Sequence, residues 1–167
     1  MTEPQPADLP AYDPAEEPAQ ELRVERVFAA PRAAVWRAFT DPDQFARWFG
    51  PVGFGVPRES VVVEPRAGGR HAYRMRQDGD DGEGNAVWGS FTEVEDERML
   101  VAELLADGFP GADGPTPTWL RIELHDDPAG TRLVLTQGPY TLFMNEMAAR
   151  GWRSSFTKLD SVLAAAA

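Results

Sequence analysis

The sequence predicts an α+β fold, and three of its features carry that prediction. Six short β-rich runs follow one another from Ser60 onward, separated by turn signals. One strand-like run precedes them, with two short helical segments in between. A long amphipathic helical pattern closes the chain. At 167 residues there is room for one compact domain with a substantial core.

Residues 1–20, MTEPQPADLPAYDPAEEPAQ, alternate prolines with acids and hold few large apolar groups. Such a segment buries too little surface to offset its ordering entropy, so it is expected to be a disordered acidic tail, with one folded domain over 21–167. Order begins at ELRVERVF, where Leu22, Val24 and Phe28 recur at even spacing as on a strand with one buried face. Pro31 suits the first turn of the helix PRAAVWRAF, in which Val35, Trp36 and Phe39 share a face. In DPDQFARWFGP, Asp41 is a good N-cap, Pro42 opens the helix, and Gln44 stands where a capping box needs it. Phe45, Trp48 and Phe49 then form one apolar stripe, and Gly50-Pro51 ends the helix.

The strands from Ser60 onward are SVVVEP, GRHAYRMRQ, AVWGSFTEV, RMLVAELL, TWLRIELHD and TRLVLTQ. Short connections make them an antiparallel meander. The exception is residues 106–118, ADGFPGADGPTPT, a long Gly/Pro-rich loop carrying Phe109, which reads as a lid or binding loop. Trp88 and Phe91 cannot both face inward on a regular strand, so a bulge is expected near Gly89. In the last helix, Met144, Met147, Ala148, Gly151, Trp152, Ser155, Leu159, Val162 and Leu163 fall on one stripe, with a small-residue notch at Gly151.

Composition narrows the functional classes. A net charge of −11 argues against nucleic acid and anionic membrane surfaces as partners. There are no cysteines and only two histidines, His71 and His125, so thiol chemistry and zinc-thiolate sites are excluded. No stretch reaches the length of an apolar membrane span, and the first residues lack a secretory pattern, so a cytoplasmic location is expected. The GEG of DDGEGN is a hairpin turn rather than a phosphate cradle, DGDDGE lacks the calcium-loop pattern, and no serine has a nucleophile-elbow context. No metal or cofactor is expected.

Four stretches carry a family resemblance: FAAPRAAVWRAFTDPDQFARWFGP at 28–51, GGRHAYRM at 68–75, GTRLVLTQ at 130–137, and Gly151-Trp152 in the final helix. Over about residues 22–163 the chain resembles the START-like (SRPBCC, birch-pollen-allergen-like) superfamily, and within it the bacterial branch related to the activator of heat-shock-protein ATPase. The resemblance implies a helix-grip, a curved antiparallel sheet wrapped around the long C-terminal helix. It also implies a cavity between the two, rimmed by the short helices and a strand-connecting loop. One such fold hosts many activities.

Side-chain alternation then nominates the lining. In GRHAYRMR the arginines take the solvent face, so His71, Tyr73 and Met75 look inward. Leu120, Ile122, Leu124, Leu133 and Leu135 read as the inner face of the last strands, with Gln137 at its end. Phe45, Trp48 and Phe49 divide between core packing and cavity wall. Phe91, Phe109, Met144, Met147 and Trp152 complete the candidate contacts. If Met99 and Val101 face inward, Glu103 does too; a slip of one residue would turn it to solvent. The family commonly places an apolar or aromatic residue at the position of His71 and often an aromatic one at that of Glu103, so both are departures. His71 is either a histidine satisfied by a carbonyl or water, or a group that orients a ligand or moves a proton.

Three functions follow from these readings. The first is a protein that binds a hydrophobic or aromatic small molecule, such as a polyketide-like natural product or a lipid, for sequestration, carriage or self-protection. Family members do this in antibiotic-producing bacteria, and the Ala/Arg/Gly/Pro-rich usage suits a high-GC actinobacterium. The second is a polyketide cyclase/aromatase-like enzyme using His71, Tyr73 and Glu103. The third is a chaperone-activator-like interaction module, although nothing in the chain specifies a protein partner.

Overall fold

The computed structural model describes residues 19–109 and 112–166. The expected acidic tail lies outside these residues up to position 18, and Gln20 already belongs to the first strand. Strand β1 (Gln20–Phe28) leads into helices α1 (Arg32–Thr40) and α2 (Pro42–Trp48). Two two-residue strands follow, β2 (Phe54–Gly55) and β3 (Val62–Val63). The long strands are β4 (Arg70–Gln77), β5 (Asn85–Glu95), β6 (Met99–Ala106), β7 (Thr116–Asp127) and β8 (Gly130–Tyr140). Helix α3 (Leu142–Ala166) closes the chain.

All pairings are antiparallel, in the order β1-β8-β7-β6-β5-β4, with β2 and β3 both on β4. The first strand therefore joins the last, and the curled sheet packs α3 against β1, β8 and α2. This is the helix-grip that the resemblance implied. Strand β2 has no counterpart in the sequence reading, because two residues are too few to establish a period. No helix among the described residues is long and apolar enough to cross a membrane.

The turn between α1 and α2 shows why the local sequence folds as it does. The Asp41 carboxylate accepts from the backbone N–H of Asp43 at 2.8 Å and of Gln44 at 3.5 Å, and Pro42 opens α2. The expected capping box is only half made. The Asp41 N–H already donates to the Arg37 carbonyl at 2.9 Å, closing α1, so a returning Gln44 side chain has no donor to meet. After α2 the backbone reverses at Gly50, whose φ of +103° lies in the region that favours glycine.

The α2 aromatics are packed into the core. Trp48 has no exposed surface, and its indole N–H donates to the Ala38 carbonyl at 2.9 Å. Its ring meets Phe39 edge-on at 4.9 Å, and Phe45 stacks on Phe49 at 4.3 Å. Lys158 ties the following loop to α3 by donating to the carbonyls of Gly50 at 3.0 Å and Phe54 at 2.8 Å. The Ser154 hydroxyl accepts from the Val52 N–H at 2.9 Å.

Two expectations about strand faces are corrected. In β6 the inward residues are Leu100, Ala102, Leu104 and Ala106, so Val101 and Glu103 face outward. Both rows of this strand are largely apolar, the outer one broken only by Glu103, and alternation does not choose between them. The register against β7 decides, with Ala102 opposite Leu120 and Leu100 opposite Ile122. The bulge lies between Phe91 and Glu93 rather than near Gly89. Val87, Gly89 and Phe91 alternate regularly on the inner side, and Trp88 points outward. Gly89 serves a close approach instead: a Cβ there would sit 1.9 Å from the Glu103 carbonyl oxygen.

Truncating the buried wedge, Trp48→Ala, should cost about 3–5 kcal/mol, since it opens a cavity and leaves the Ala38 carbonyl unpaired. Asp41→Ala should cost only about 1 kcal/mol, the typical value of one N-cap. Urea unfolding of both variants checks the ranking; equal losses would show that Trp48 is not central to the core.

Candidate functional site

Between the N-terminal half of α3 and the concave face of the sheet lies an open cleft of about 260 Å³. Its floor is Tyr73 and Met75 on β4, Val87 on β5, Leu104 and Ala106 on β6, Thr118 on β7, and Gln137 and Tyr140 on β8. Helix α3 contributes Met144, Met147, Ala148, Gly151, Trp152 and Ser155, while Phe49, Pro51 and Phe109 form the rim. Gly151 faces open space, because a Cβ added there would meet nothing within 4 Å. The notch seen in the sequence is therefore room in the cleft.

Beyond Tyr73 and Trp152 the space narrows to a remnant of about 10 Å³, bounded by Phe45, Phe91, His71, Leu120 and Ile122 among others. The aromatic side chains have filled the deep end. Of the residues nominated from sequence, Phe49, Tyr73, Met75, Phe109, Gln137, Met144, Met147 and Trp152 meet in the cleft. Phe45, His71, Phe91, Leu120 and Ile122 surround the inner remnant. Trp48 and Leu135 are wholly core, and Val101 and Glu103 lie on the other face of the sheet.

Tyr140, Thr118, Leu104 and Ala106 went unrecognised. Leu104 and Ala106 follow from the inverted faces of β6. Tyr140 has the wrong parity for a regular strand that already sends Leu133, Leu135 and Gln137 inward. The register between β1 and β8 slips between Gln20, opposite Tyr140, and Leu22, opposite Gln137. That extra residue in β8 returns Tyr140 to the inner side, 7% exposed. The Gly138-Pro139 pair before it is the one signal in the sequence of an interrupted strand.

Among the described residues, no charged side chain lines the cleft or its inner remnant. Burial pushes the Tyr73 phenol far above its ordinary range, with a smaller contribution from Tyr140, and burial raises Tyr140 likewise. Both are therefore neutral hydroxyls. The Gln137 amide oxygen accepts from the Trp152 indole N–H at 2.8 Å, so its NH₂ is the group left for a ligand. His71 is held in aromatic company, 5.5 Å from Phe45, 5.7 Å from Tyr73 and 5.1 Å from Phe91 between ring centroids. Its buried Nδ1 has no hydrogen-bond partner among the described residues. With Glu103 facing outward, no carboxylate among the described residues stands beside His71 to orient it as a base.

Burial lowers the His71 pKa from 6.5 to about 4. Between those values the unfolded chain binds the proton and the folded protein does not, so stability must fall as the pH drops through that window. His71→Leu removes this term. The stability of the wild type relative to His71→Leu should fall by about 2–3 kcal/mol from neutral pH to about pH 4.5. Parallel urea midpoints across that range would show that His71 is protonated in the folded state.

The geometry agrees with relationships found elsewhere. The family model described as activator of Hsp90 ATPase homolog 1-like protein matches residues 29–164. A solved structure from Chromobacterium violaceum is 25% identical, with a TM-score of 0.74 over 86% of this chain and 96% of its own. One from Nitrosomonas europaea is 26% identical, with a TM-score of 0.72 over 88% and 96%. An AHSA1 protein from Silicibacter pomeroyi is 23% identical, with a TM-score of 0.75 over 89% and 100%, a likeness of fold. No curated protein matches. With the helix-grip, its cleft and a family match over most of the chain in agreement, this protein belongs to the activator of Hsp90 ATPase homolog 1-like family of START-like proteins.

Proposed function

We propose that this protein binds an uncharged hydrophobic or aromatic small molecule, of the polyketide-like or lipid kind, for sequestration, carriage or self-protection. The observation that carries the reading is the open cleft of about 260 Å³, in which none of the described lining residues is charged. Its polar groups are the hydroxyls of Tyr73, Tyr140, Thr118 and Ser155 and the amide of Gln137. The Ser155 hydroxyl is already committed to the Gly151 carbonyl at 2.8 Å. The remaining groups can donate to carbonyl or hydroxyl oxygens on an otherwise apolar body. A carboxylate would have to shed its water without gaining a cation.

The cyclase-like alternative rests on fewer groups than its sequence reading. His71 and Tyr73 are neighbours, but Glu103 is across the sheet from both. A lone neutral histidine in an aromatic shell is a poor general base at neutral pH, because burial disfavours the protonated form it must reach.

Native mass spectrometry with aromatic polyketides, fatty alcohols and matched fatty acids tests the proposal. The neutral ligands should form one-to-one adducts that are released unchanged, and the acids should bind more weakly. Gly151→Leu, which places a side chain in the open space, should abolish the adduct while keeping or slightly raising thermal stability, since glycine costs about 1 kcal/mol in a helix interior. A ligand returned dehydrated or cyclised would favour the enzyme. Binding undiminished in Gly151→Leu would remove the cleft as the site.

A further inference from the structure

The outer face of the sheet holds a second site that the cleft does not explain. Glu103 and Leu105 project outward from β6, between β5 and β7. Leu105 stands opposite Trp88 on one side and Pro117 on the other, while Glu103 stands opposite Ser90 and Trp119. The two indoles thus rise on the strands that flank β6, offset by two residues along it, so that their attachment points are roughly 12 Å apart by the spacing of strands and residues. Glu103 and Leu105 stand on the strand between them. The groove so made has a volume of about 440 Å³.

Its chemistry is specific. Among the described residues no lysine, arginine or histidine lines it, and Glu103 is the one charged group there. Glu103 has no ion-pair partner among the described residues, and the cation–π contact within the protein is made elsewhere, by Arg26 over Phe28. Indole faces carry negative quadrupole potential and attract cations, most strongly those that are weakly hydrated. A carboxylate on the strand between two indoles, with Leu105 and Pro117 beside it, favours a cation with apolar substituents over both a neutral apolar body and a small hydrated ion. Nothing in the groove would balance an anion.

We propose that Trp88, Trp119 and Glu103 form a binding site for a small organic cation of the substituted-ammonium class, on the face of the sheet opposite the cleft. The ammonium group sits between the indoles above Glu103, and its alkyl substituents rest on Leu105 and Pro117. The site is separated from the cleft by the thickness of the sheet, so it stands or falls independently of the function proposed there.

The test uses choline and its neutral isostere dimethylbutanol, in which carbon replaces the ammonium nitrogen. The full-length protein is titrated with each at constant ionic strength, following the indole N–H signals of its five tryptophans by heteronuclear NMR. Single Trp→Phe variants assign those signals. Choline should shift Trp88 and Trp119 saturably in the millimolar range, and dimethylbutanol should not. Glu103→Gln, an exposed substitution, should weaken choline about threefold or more, and Trp119→Leu should do so in a protein that still unfolds cooperatively. Equal response to the isostere, undiminished binding in Glu103→Gln, or shifts confined to Trp36, Trp48 and Trp152 would each overturn the proposal. So would concentration-dependent broadening of Trp88 and Trp119 that choline leaves untouched, which would mark the groove as a contact between copies of the chain.

Discussion

The packing of α2 against the sheet governs everything on the concave side. A sheet curled around a single helix leaves more space than one helix can fill, and the surplus must be occupied by side chains or left open. Phe39, Phe45, Trp48 and Phe49 occupy it at one end, locked in place by the Trp48 bond to the Ala38 carbonyl. Because α2 starts from the shared Asp41 junction, its aromatic stripe can only enter there. The open cleft is what remains at the other end, under the first half of α3. Lys158 and Ser154 hold the loop after α2 to α3, so the filled end and the open end are joined by a fixed wall.

Charge divides the molecule as sharply as packing does. The chain carries an excess of eleven negative charges, yet none of the described residues that line the inner space is charged. Burial keeps His71 neutral and both tyrosines protonated, so the interior offers dipoles and donors but no ions. Such an environment discriminates by desolvation. A neutral guest exchanges water for apolar contact and a few hydrogen bonds, whereas an ion loses hydration that no partner restores. The same reasoning explains why His71 can remain in the core with an unpaired Nδ1: an uncharged imidazole costs far less to bury than an imidazolium.

Much of this was legible in the sequence wherever one face of an element differed from the other. The alternation of arginines with His71 and Tyr73 in β4, the stripe on α3 and the Asp41-Pro42 cap each identify a buried face without reference to any neighbour. Prediction failed where both faces are alike. In β6, Leu100, Ala102 and Leu104 face in while Met99, Val101 and Leu105 face out, and no period distinguishes the rows. It failed again where a single extra residue shifts the count, at Phe91 to Glu93 and before Tyr140, because a bulge is a property of two strands and only one is visible at a time.

The ambiguity of β6 has a physical meaning of its own. A strand in a sheet with one solvated face usually marks that face with polar residues, and β1 does so, with Arg23 and Glu25 alternating against Leu22 and Val24. Where the outer row of β6 meets Trp88, Pro117 and Trp119, the sheet instead presents apolar surface around one carboxylate. Glu103 drew attention as a polar residue where an aromatic one was expected. The structure reverses the puzzle: the glutamate lies on the solvent face, where a charge is ordinary, and it is the tryptophans around it that depart from the rule. A feature that makes one strand hard to read is thus also what gives the outer face a chemistry distinct from the cleft.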